Sequence, residues 1–252
     1  MTAAERARDV VRTLERMGDP ARVEGMKRYG IDTGRALGIS VTELRRLARG
    51  LGHDHELAAS LWASGVHEAR ILASLVDEPA QVSEAQMDEW VADLDSWDVC
   101  DAVCGNLFDR TTFALDKAVE WSTREPEFEK RAGFALMAWA AVHRKDLPDA
   151  AFASLLPLIR EGSTDDRNYV KKAVSWALRQ IGKRSAGLNT KAFRTAEQMG
   201  RLDARSSRWI ARDALRELRS DAVQARLALE ALAERTRHIL FDVPVSIQEL
   251  TP

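Results

Sequence analysis

The stretch RNYVKKAVSWALRQIGKR, residues 167–184, has the spacing of an amphipathic helix. Its apolar residues recur three and four positions apart, at Val170, Ala173, Val174 and Leu178. This spacing places them on one helical face, which can pack against a neighbour while charged side chains face outwards. The same pattern recurs along nearly the whole chain, and strand-like alternation is almost absent. The sequence therefore predicts an all-α fold.

Several helix starts are marked by capping residues. Ser40 is followed three positions later by Glu43, the pattern of a capping box, and Ser83 and Ser96 are further candidate N-caps. Glycine and proline fall between the periodic segments, as expected of helix–helix connections. The pattern predicts about a dozen short helices joined by loops of ordinary length.

Pairs of predicted helices recur roughly every 35 to 45 residues, the range of HEAT-like repeats. A solenoid of such pairs buries its core between neighbouring repeats and leaves a concave groove that can hold an extended partner. A compact irregular helical bundle is the alternative. We expect one repeat domain over residues 1–234 and a C-terminal tail over 235–252, to which the sequence assigns no role.

The composition is that of a folded globular protein, with 45% hydrophobic and 30% charged residues among 252. No apolar run approaches the roughly 20 residues of a membrane span. The N-terminus is charged and lacks the apolar core of a secretory signal, so we expect a cytoplasmic protein without a membrane partner. Two cysteines, Cys100 and Cys104, cannot by themselves form a disulfide framework or a four-ligand zinc site. We expect them in the core rather than in redox or metal chemistry, and we expect no metal and no cofactor.

The net charge of −2 hides an uneven distribution. Residues 1–123 carry a net charge of −8, residues 124–219 carry +8, and residues 220–252 carry −2. A basic segment on a nearly neutral chain suits a protein that meets a polyanion with one face. The alternative is a solvated, arginine-rich helix surface without a partner.

Two segments place aromatic and charged side chains on one helical face. Trp97 and Asp101 are four positions apart, and Trp176 and Arg179 are three apart. Lys171 and Lys172 add positive charge beside the second pair. An indole next to a guanidinium suits a nucleic-acid backbone, because arginine pairs with phosphate and the ring packs on sugar or base. The alternative for each segment is a tryptophan in the inter-repeat core with a paired or solvated charge.

A third segment begins with Arg131, which is followed by a strongly apolar run. Such an arginine often extends its charged end to the surface while its stem lies on apolar neighbours. It could instead point into the groove. The residue types alone leave both orientations open.

Together these segments resemble the AlkD-type DNA alkylation repair enzymes, a family of HEAT-like repeat alkylpurine DNA glycosylases. The resemblance covers about residues 20–220. It rests on a Trp-x-x-x-Asp helix within SWDVCD, an Arg-Ala pair that opens an apolar helix, and a Trp-x-x-Arg helix within KKAVSWALR. Upstream, Tyr29 lies nine residues before Gly38-Ile39, which precede the helix carrying ELRRLAR. Two features depart from the family: Ser96 stands where a second tryptophan is common, and the segment between Arg131 and Trp176 is longer.

The resemblance implies hydrolysis of the N-glycosidic bond of positively charged N3- or N7-alkylated purines in duplex DNA, without base flipping. Asp101 would stabilise the cationic sugar, and Trp97 and Trp176 would flank it. Arg131 and Arg179 would hold phosphates, with Lys171 and Lys172 as weaker contacts. Tyr29 would line the same pocket. We expect a monomer that acts on alkylated duplex DNA.

Two other functions fit the same pattern. A non-catalytic DNA-binding relative would keep the basic groove and would not need the carboxylate or both tryptophans. A HEAT-type protein-interaction scaffold would release no base and would not need Asp101 opposite Trp176.

Overall fold

The computed structural model describes residues 1–31 and 33–241, and over this part the chain is helical without strands. A single 3-10 turn, Phe108–Arg110, interrupts the α-helices. The α-helices are α1 Ala3–Met17, α2 Pro20–Lys27, α3 Val41–Leu51, α4 His55–Ala63, α5 His67–Val76, α6 Glu84–Ala92, α7 Trp97–Asn106, α8 Ala114–Trp121, α9 Glu127–His143, α10 Asp149–Ala153, α11 Leu156–Gly162, α12 Asn168–Gly182, α13 Ala186–Gly200, α14 Arg205–Leu218 and α15 Asp221–Phe241. The all-α prediction is confirmed.

The helices form two rows that follow the order of the chain. In the first row each helix packs against the next, in the order α3, α5, α7, α9, α12 and α14. In the second row α4, α8, α11 and α13 each pack against a helix of the first row. One hydrophobic cluster runs through both rows, from Ala7 in α1 to Leu218 in α14. This is the layout expected of stacked helical pairs that bury their apolar faces between neighbours.

The repeat length changes along the array. The first-row helices α5, α7 and α9 begin at residues 67, 97 and 127, which is 30 residues apart and shorter than the sequence pattern predicts. The next first-row helix, α12, begins at residue 168. Two short helices, α10 and α11, fill this longer interval. The segment between Arg131 and Trp176 is therefore long because it contains an extra helix.

Two of the three predicted N-cap residues cap their helices through side-chain hydrogen bonds. Ser40 and Glu43 form both hydrogen bonds of a capping box at α3, and the side chain of Ser83 accepts from the backbone of Gln86 at α6. Ser96 occupies the N-cap position of α7, but its hydroxyl donates to the Asp98 side chain instead. The start of α7, which carries Trp97 and Asp101, is thus fixed by side chains rather than by a cap.

A buried glutamate anchors the segment between α2 and α3. Glu68 on α5 is 1% exposed and accepts hydrogen bonds from the backbone N–H groups of Leu37 (2.8 Å), Gly38 (2.6 Å) and Ile39 (3.2 Å). Gly38 has a φ of +79°, and a Cβ there would lie 2.3 Å from the carbonyl oxygen of Asp19. No other residue fits this turn without movement. The Gly-Ile pair singled out in the sequence therefore ties the N-terminal helices to the first row.

The last helix, α15, runs through residue 234, where the sequence suggested a domain boundary. Residues 242–252 of the expected tail lie outside the described residues. Among the described helices, none is both long and apolar enough to cross a membrane.

Candidate active site

Three consecutive helices of the first row, α7, α9 and α12, line a cavity of about 390 Å³ together with the segment that follows α2. Its lining side chains are Arg28, Tyr29, Trp97, Asp101, Arg131, Tyr169, Lys172 and Trp176. Six of the eight residues predicted from the sequence therefore lie around one cavity. Their order in the chain gives no hint of this, because neighbouring first-row helices bring them together across the repeats.

Asp101 and Arg131 form an enclosed ion pair at the cavity wall. Nη2 of Arg131 donates to both carboxylate oxygens of Asp101, at 2.9 and 2.8 Å, and Nε donates to one of them at 3.1 Å. Nη1 donates to the backbone oxygen of Tyr169 at 2.7 Å. The Arg131 side chain is 6% exposed, whereas Asp101 keeps 21% of its side-chain surface open. Arg131, for which the sequence suggested a phosphate contact, thus has its donors directed at the carboxylate and at α12.

Burial and ion pairing act in opposite directions on the pKa of Asp101. Burial among the three helices is the larger influence and raises the pKa above its usual range, while the charge and hydrogen bonds of Arg131 lower it. The nearby carboxylate of Asp98 raises it further. The site therefore holds a carboxylate that is desolvated and fixed in orientation, as electrostatic stabilisation of a developing cation requires.

The segment after α2 closes one side of the cavity. The indole Nε1 of Trp97 donates to the backbone oxygen of Tyr29 at 3.0 Å, and the hydroxyl of Tyr169 donates to the backbone oxygen of Gly30 at 2.7 Å. Gly30 has a φ of +68°, and a Cβ there would lie 2.3 Å from the Tyr169 hydroxyl. The Tyr29 side chain itself is 72% exposed. This segment therefore reaches across from the N-terminal helices to both α7 and α12.

Helix α12 contributes Tyr169, Lys172 and Trp176, which lie on one face because their spacings are three, four and seven. Tyr169 and Arg28 were not predicted from the sequence. The spacing of seven between Tyr169 and Trp176 is a signal that could have identified the tyrosine. Arg28 adjoins Tyr29 in sequence, but nothing in its local pattern marks it as a site residue.

Two predicted residues on α12 lie outside the cavity lining. Arg179 pairs through Nη1 with Glu217 and lies 3.5 Å from a carboxylate oxygen of Asp213, both on α14. The Lys171 amino group lies 5.3 Å from the ring centre of Trp209, in a cation–π contact. Both side chains contact the next first-row helix rather than the cavity.

The lining carries three cationic side chains and one carboxylate. Arg131 neutralises Asp101, so the exposed side chains of Arg28 and Lys172 leave the mouth of the cavity positive. The two indoles present apolar, electron-rich faces to the same space. In the described part of the chain no three His, Cys, Asp or Glu side chains are arranged as a metal site would need, and Cys100 and Cys104 are buried as free thiols. The arrangement suits a flat, partly cationic group flanked by anions.

Comparison with solved structures supports the helical-repeat fold. The chain superimposes with a TM-score of 0.70 on a protein of a new family related to the HEAT-like repeat DNA glycosylases, with affinity for branched DNA structures. The two sequences are 21% identical, and the match covers 83% of this chain and 94% of the other. At this identity the likeness shows the fold, and the HEAT-like prediction is confirmed. None of the curated proteins matches the sequence significantly.

Comparison with protein families identifies the chain more directly. The profile of the family described as DNA alkylation repair enzyme matches residues 10–218. The match spans the first row from α3 to α14 and includes every residue that lines the cavity. The chain belongs to the DNA alkylation repair enzyme family.

Proposed function

We propose that this protein is a DNA glycosylase that hydrolyses the N-glycosidic bond of positively charged N3- or N7-alkylated purines in duplex DNA. One observation carries the proposal: an oriented carboxylate, Asp101, opens onto the same cavity as the indoles of Trp97 and Trp176. The mouth of that cavity is positive, as contact with a phosphate backbone requires. Membership of the alkylation repair family supports the same reaction class.

The chemistry follows from the charge of the lesion. An alkylated purine already carries a positive charge, so it leaves as a neutral base with the electron pair of the glycosidic bond and needs no proton from the protein. Positive charge then develops on the deoxyribose, where Asp101 stabilises it electrostatically and the two indole faces flank it. Water adds to the sugar carbon and loses a proton to Asp101 or to solvent, which leaves an abasic site.

The remaining residues position this machinery. Arg131 holds the carboxylate of Asp101 in one orientation through its hydrogen bonds and connects it to α12. Arg28 and Lys172 bind phosphates at the mouth of the cavity. Lys171 and Arg179 are weaker phosphate contacts, because the first lies on Trp209 and the charge of the second is opposed by Glu217 and Asp213. The exposed side chain of Tyr29 contacts the DNA at the mouth of the cavity. The lining offers indole faces to a sugar and cationic side chains to phosphates, which favours recognition through sugar, charge and backbone without base flipping.

Release of 3-methyladenine and 7-methylguanine from methylated duplex DNA tests this proposal. We expect the wild type to release at least one of them and Asp101→Asn to be slower by at least about 100-fold, the scale of losing an electrostatic stabiliser. The control is Asp116→Asn, which removes an exposed carboxylate from α8. Thermal unfolding of each variant separates lost chemistry from lost folding.

Each part of the proposal can fail separately. A wild type that releases neither base contradicts the glycosylase function for simple lesions. An Asp101→Asn variant as fast as the wild type contradicts the role of the carboxylate. A 2-aminopurine placed beside the lesion reports flipping, and a fluorescence rise on binding contradicts recognition within the stacked duplex.

The solved relative favours a second candidate function, non-catalytic binding of branched DNA, because that protein has affinity for branched DNA structures. This function predicts no base release and tighter binding to a four-way junction than to methylated duplex of the same length. Competition between the two DNAs at fixed salt distinguishes the candidates.

A further inference from the structure

We infer that Trp139, which does not line the cavity, is a positioning residue that sets the geometry between the Asp101 helix and Trp176. Its role in catalysis rests on the proposed function. Its contacts with α7 and α12 do not depend on that function. Trp139 lies on α9 and touches both walls of the site. Its indole Nε1 donates to the backbone oxygen of Asp101 at 3.0 Å. Its ring stands edge-to-face against Trp176, with centroids 5.3 Å apart and planes at 82°.

The indole lies directly on the backbone of α7. A Cβ built on Gly105 would lie 2.3 Å from Cε2 and 2.5 Å from Nε1 of Trp139, closer than any side chain allows. Gly105 is one helical turn after Asp101, so the turn that carries the carboxylate is the turn that the ring covers. A carbonyl oxygen has two lone pairs, and that of Asp101 can accept the indole N–H in addition to its helical partner. The glycine thus leaves room for the tryptophan.

A histidine also packs on the Trp139 ring. His143 stacks on Trp139 with centroids 5.0 Å apart and planes at 25°. Nδ1 of His143 is hydrogen-bonded to the carboxylate of Asp109, which is 0% exposed and lies in the 3-10 turn just after α7. Trp139 is partly buried and contacts Gly105, His143 and Trp176. Rotation of its ring would disturb at least one of these contacts.

This arrangement makes Trp139 the direct link between the carboxylate and the second indole. Edge-to-face contact fixes the tilt of the Trp176 ring. The hydrogen bond from Trp139 to the backbone of Asp101 fixes the distance between that turn of α7 and the Trp139 ring. Because catalysis by oriented groups is sensitive to displacements of about 1 Å, loss of this link should slow the reaction more than it weakens DNA binding.

The test compares Trp139→Phe and Gly105→Ala with Trp121→Phe as a matched control. Trp121 is fully buried on α8, and its indole donates to Asp88 at 2.9 Å away from the cavity, so Trp121→Phe removes the same kind of donor. Single-turnover release rate, DNA dissociation constant and thermal unfolding are measured for each. We expect Trp139→Phe to lower the single-turnover rate about tenfold through misplacement, with binding within about twofold. Trp121→Phe should lose at least as much stability, because Trp121 is fully buried, and should keep the wild-type rate.

The double variant Gly105→Ala/Trp139→Ala keeps the inference testable should Gly105→Ala fold poorly. An alanine side chain lacks the ring atoms that the new Cβ would meet, so the glycine substitution should cost much less in the Trp139→Ala background than in the wild type. Additive losses of stability in the two backgrounds would contradict the close contact.

A second readout does not depend on base release. Trp97 lies on α7 but makes no ring contact with Trp139, so its ¹⁵N-indole resonance reports movement of that helix. We expect Gly105→Ala to shift it and Trp121→Phe to leave it unchanged. A wild-type rate in Trp139→Phe, or an unmoved Trp97 resonance in Gly105→Ala, overturns the inference. A wild type that releases no base refutes the proposed function, and the resonance then decides the positioning alone.

Discussion

Arg131 illustrates what sequence spacing can and cannot give for a single residue. Its presence in the site was expected from the resemblance, and the structure brings it to the cavity. Its partner was not foreseen, because Asp101 lies 30 residues earlier on a different helix. The contacts of Trp97, Tyr169 and Trp139 likewise cross between repeats. Local periodicity identifies the face on which a side chain lies, but not which residue of the next repeat meets it.

The pH dependence of base release should report the protonation of Asp101. Burial raises the pKa of this carboxyl and Arg131 opposes the rise, so the acid limb should have its midpoint above the ordinary value of about 3.9. Only the ionised form stabilises a cationic sugar, so the rate should fall as pH falls through this midpoint. The measurement is single-turnover release between pH 4 and 8, with folding followed by circular dichroism. A midpoint at the ordinary value, or the same limb in Asp101→Asn, would show that another group titrates.

At the scale of the element, the start of α7 is held by an ion pair between repeats. His67, at the start of α5, has Nε2 2.9 Å from a carboxylate oxygen of Asp98. Burial lowers the pKa of His67, but the hydrogen bond and charge of Asp98, together with the charges of Glu68 and Asp95, outweigh it, so the net shift is upward. Burial likewise raises the pKa of Asp98, and His67 with Ser96 brings it below its usual value. The first turn of α7 therefore depends on a protonated histidine.

These shifts predict how stability varies with pH. The contribution of His67 is fully present below its unfolded pKa of about 6.5 and is lost as pH rises through its raised folded pKa. The lowered pKa of Asp98 preserves the pair on the acid side. We expect His67→Asn to lower the free energy of unfolding by about 3 kcal/mol at pH 6, the scale of breaking a buried pair.

Urea unfolding at pH 6 and at pH 9 measures this effect. The difference between wild type and His67→Asn should be smaller at pH 9, because the ion pair weakens as pH rises through the raised pKa of His67. An equal difference in the free energy of unfolding at both pH values would mean that His67 contributes by packing alone.

At the scale of the whole molecule, the apolar periodicity and the glycine and proline residues between helices are sufficient to predict an all-α, HEAT-like array, because the same apolar spacing recurs in every repeat. They overestimated the early repeat length, because α5, α7 and α9 follow one another every 30 residues. The extra helix between α9 and α12 was also missed, because a helix as short as α10 has too few turns to show a periodicity. The uneven charge along the chain pointed to a basic surface but not to its position relative to the cavity.

The basic mouth of the cavity should appear in the salt dependence of DNA binding. Lys172→Ala should reduce the slope of log K against log salt by about 0.9, the value for one phosphate contact. Arg179→Ala should change it less, because Glu217 and Asp213 already oppose that charge. Lys191→Ala, on the exposed side of the second-row helix α13, serves as the control. Equal slopes for Lys172→Ala and Lys191→Ala would exclude a phosphate contact by Lys172.

The hydrogen bond between Tyr169 and Gly30 joins residues 139 positions apart. An array of repeats is close to a one-dimensional system, in which each unit is stabilised only by its neighbours and the ends fray independently. Here the segment after α2 is fastened directly to α12, several repeats further along the array. Local unfolding of α2 and the segment after it would therefore also break the contacts that close this side of the cavity. The hydrogen bond between Tyr169 and Gly30 thus couples the stability of the N-terminal helices to the shape of the site.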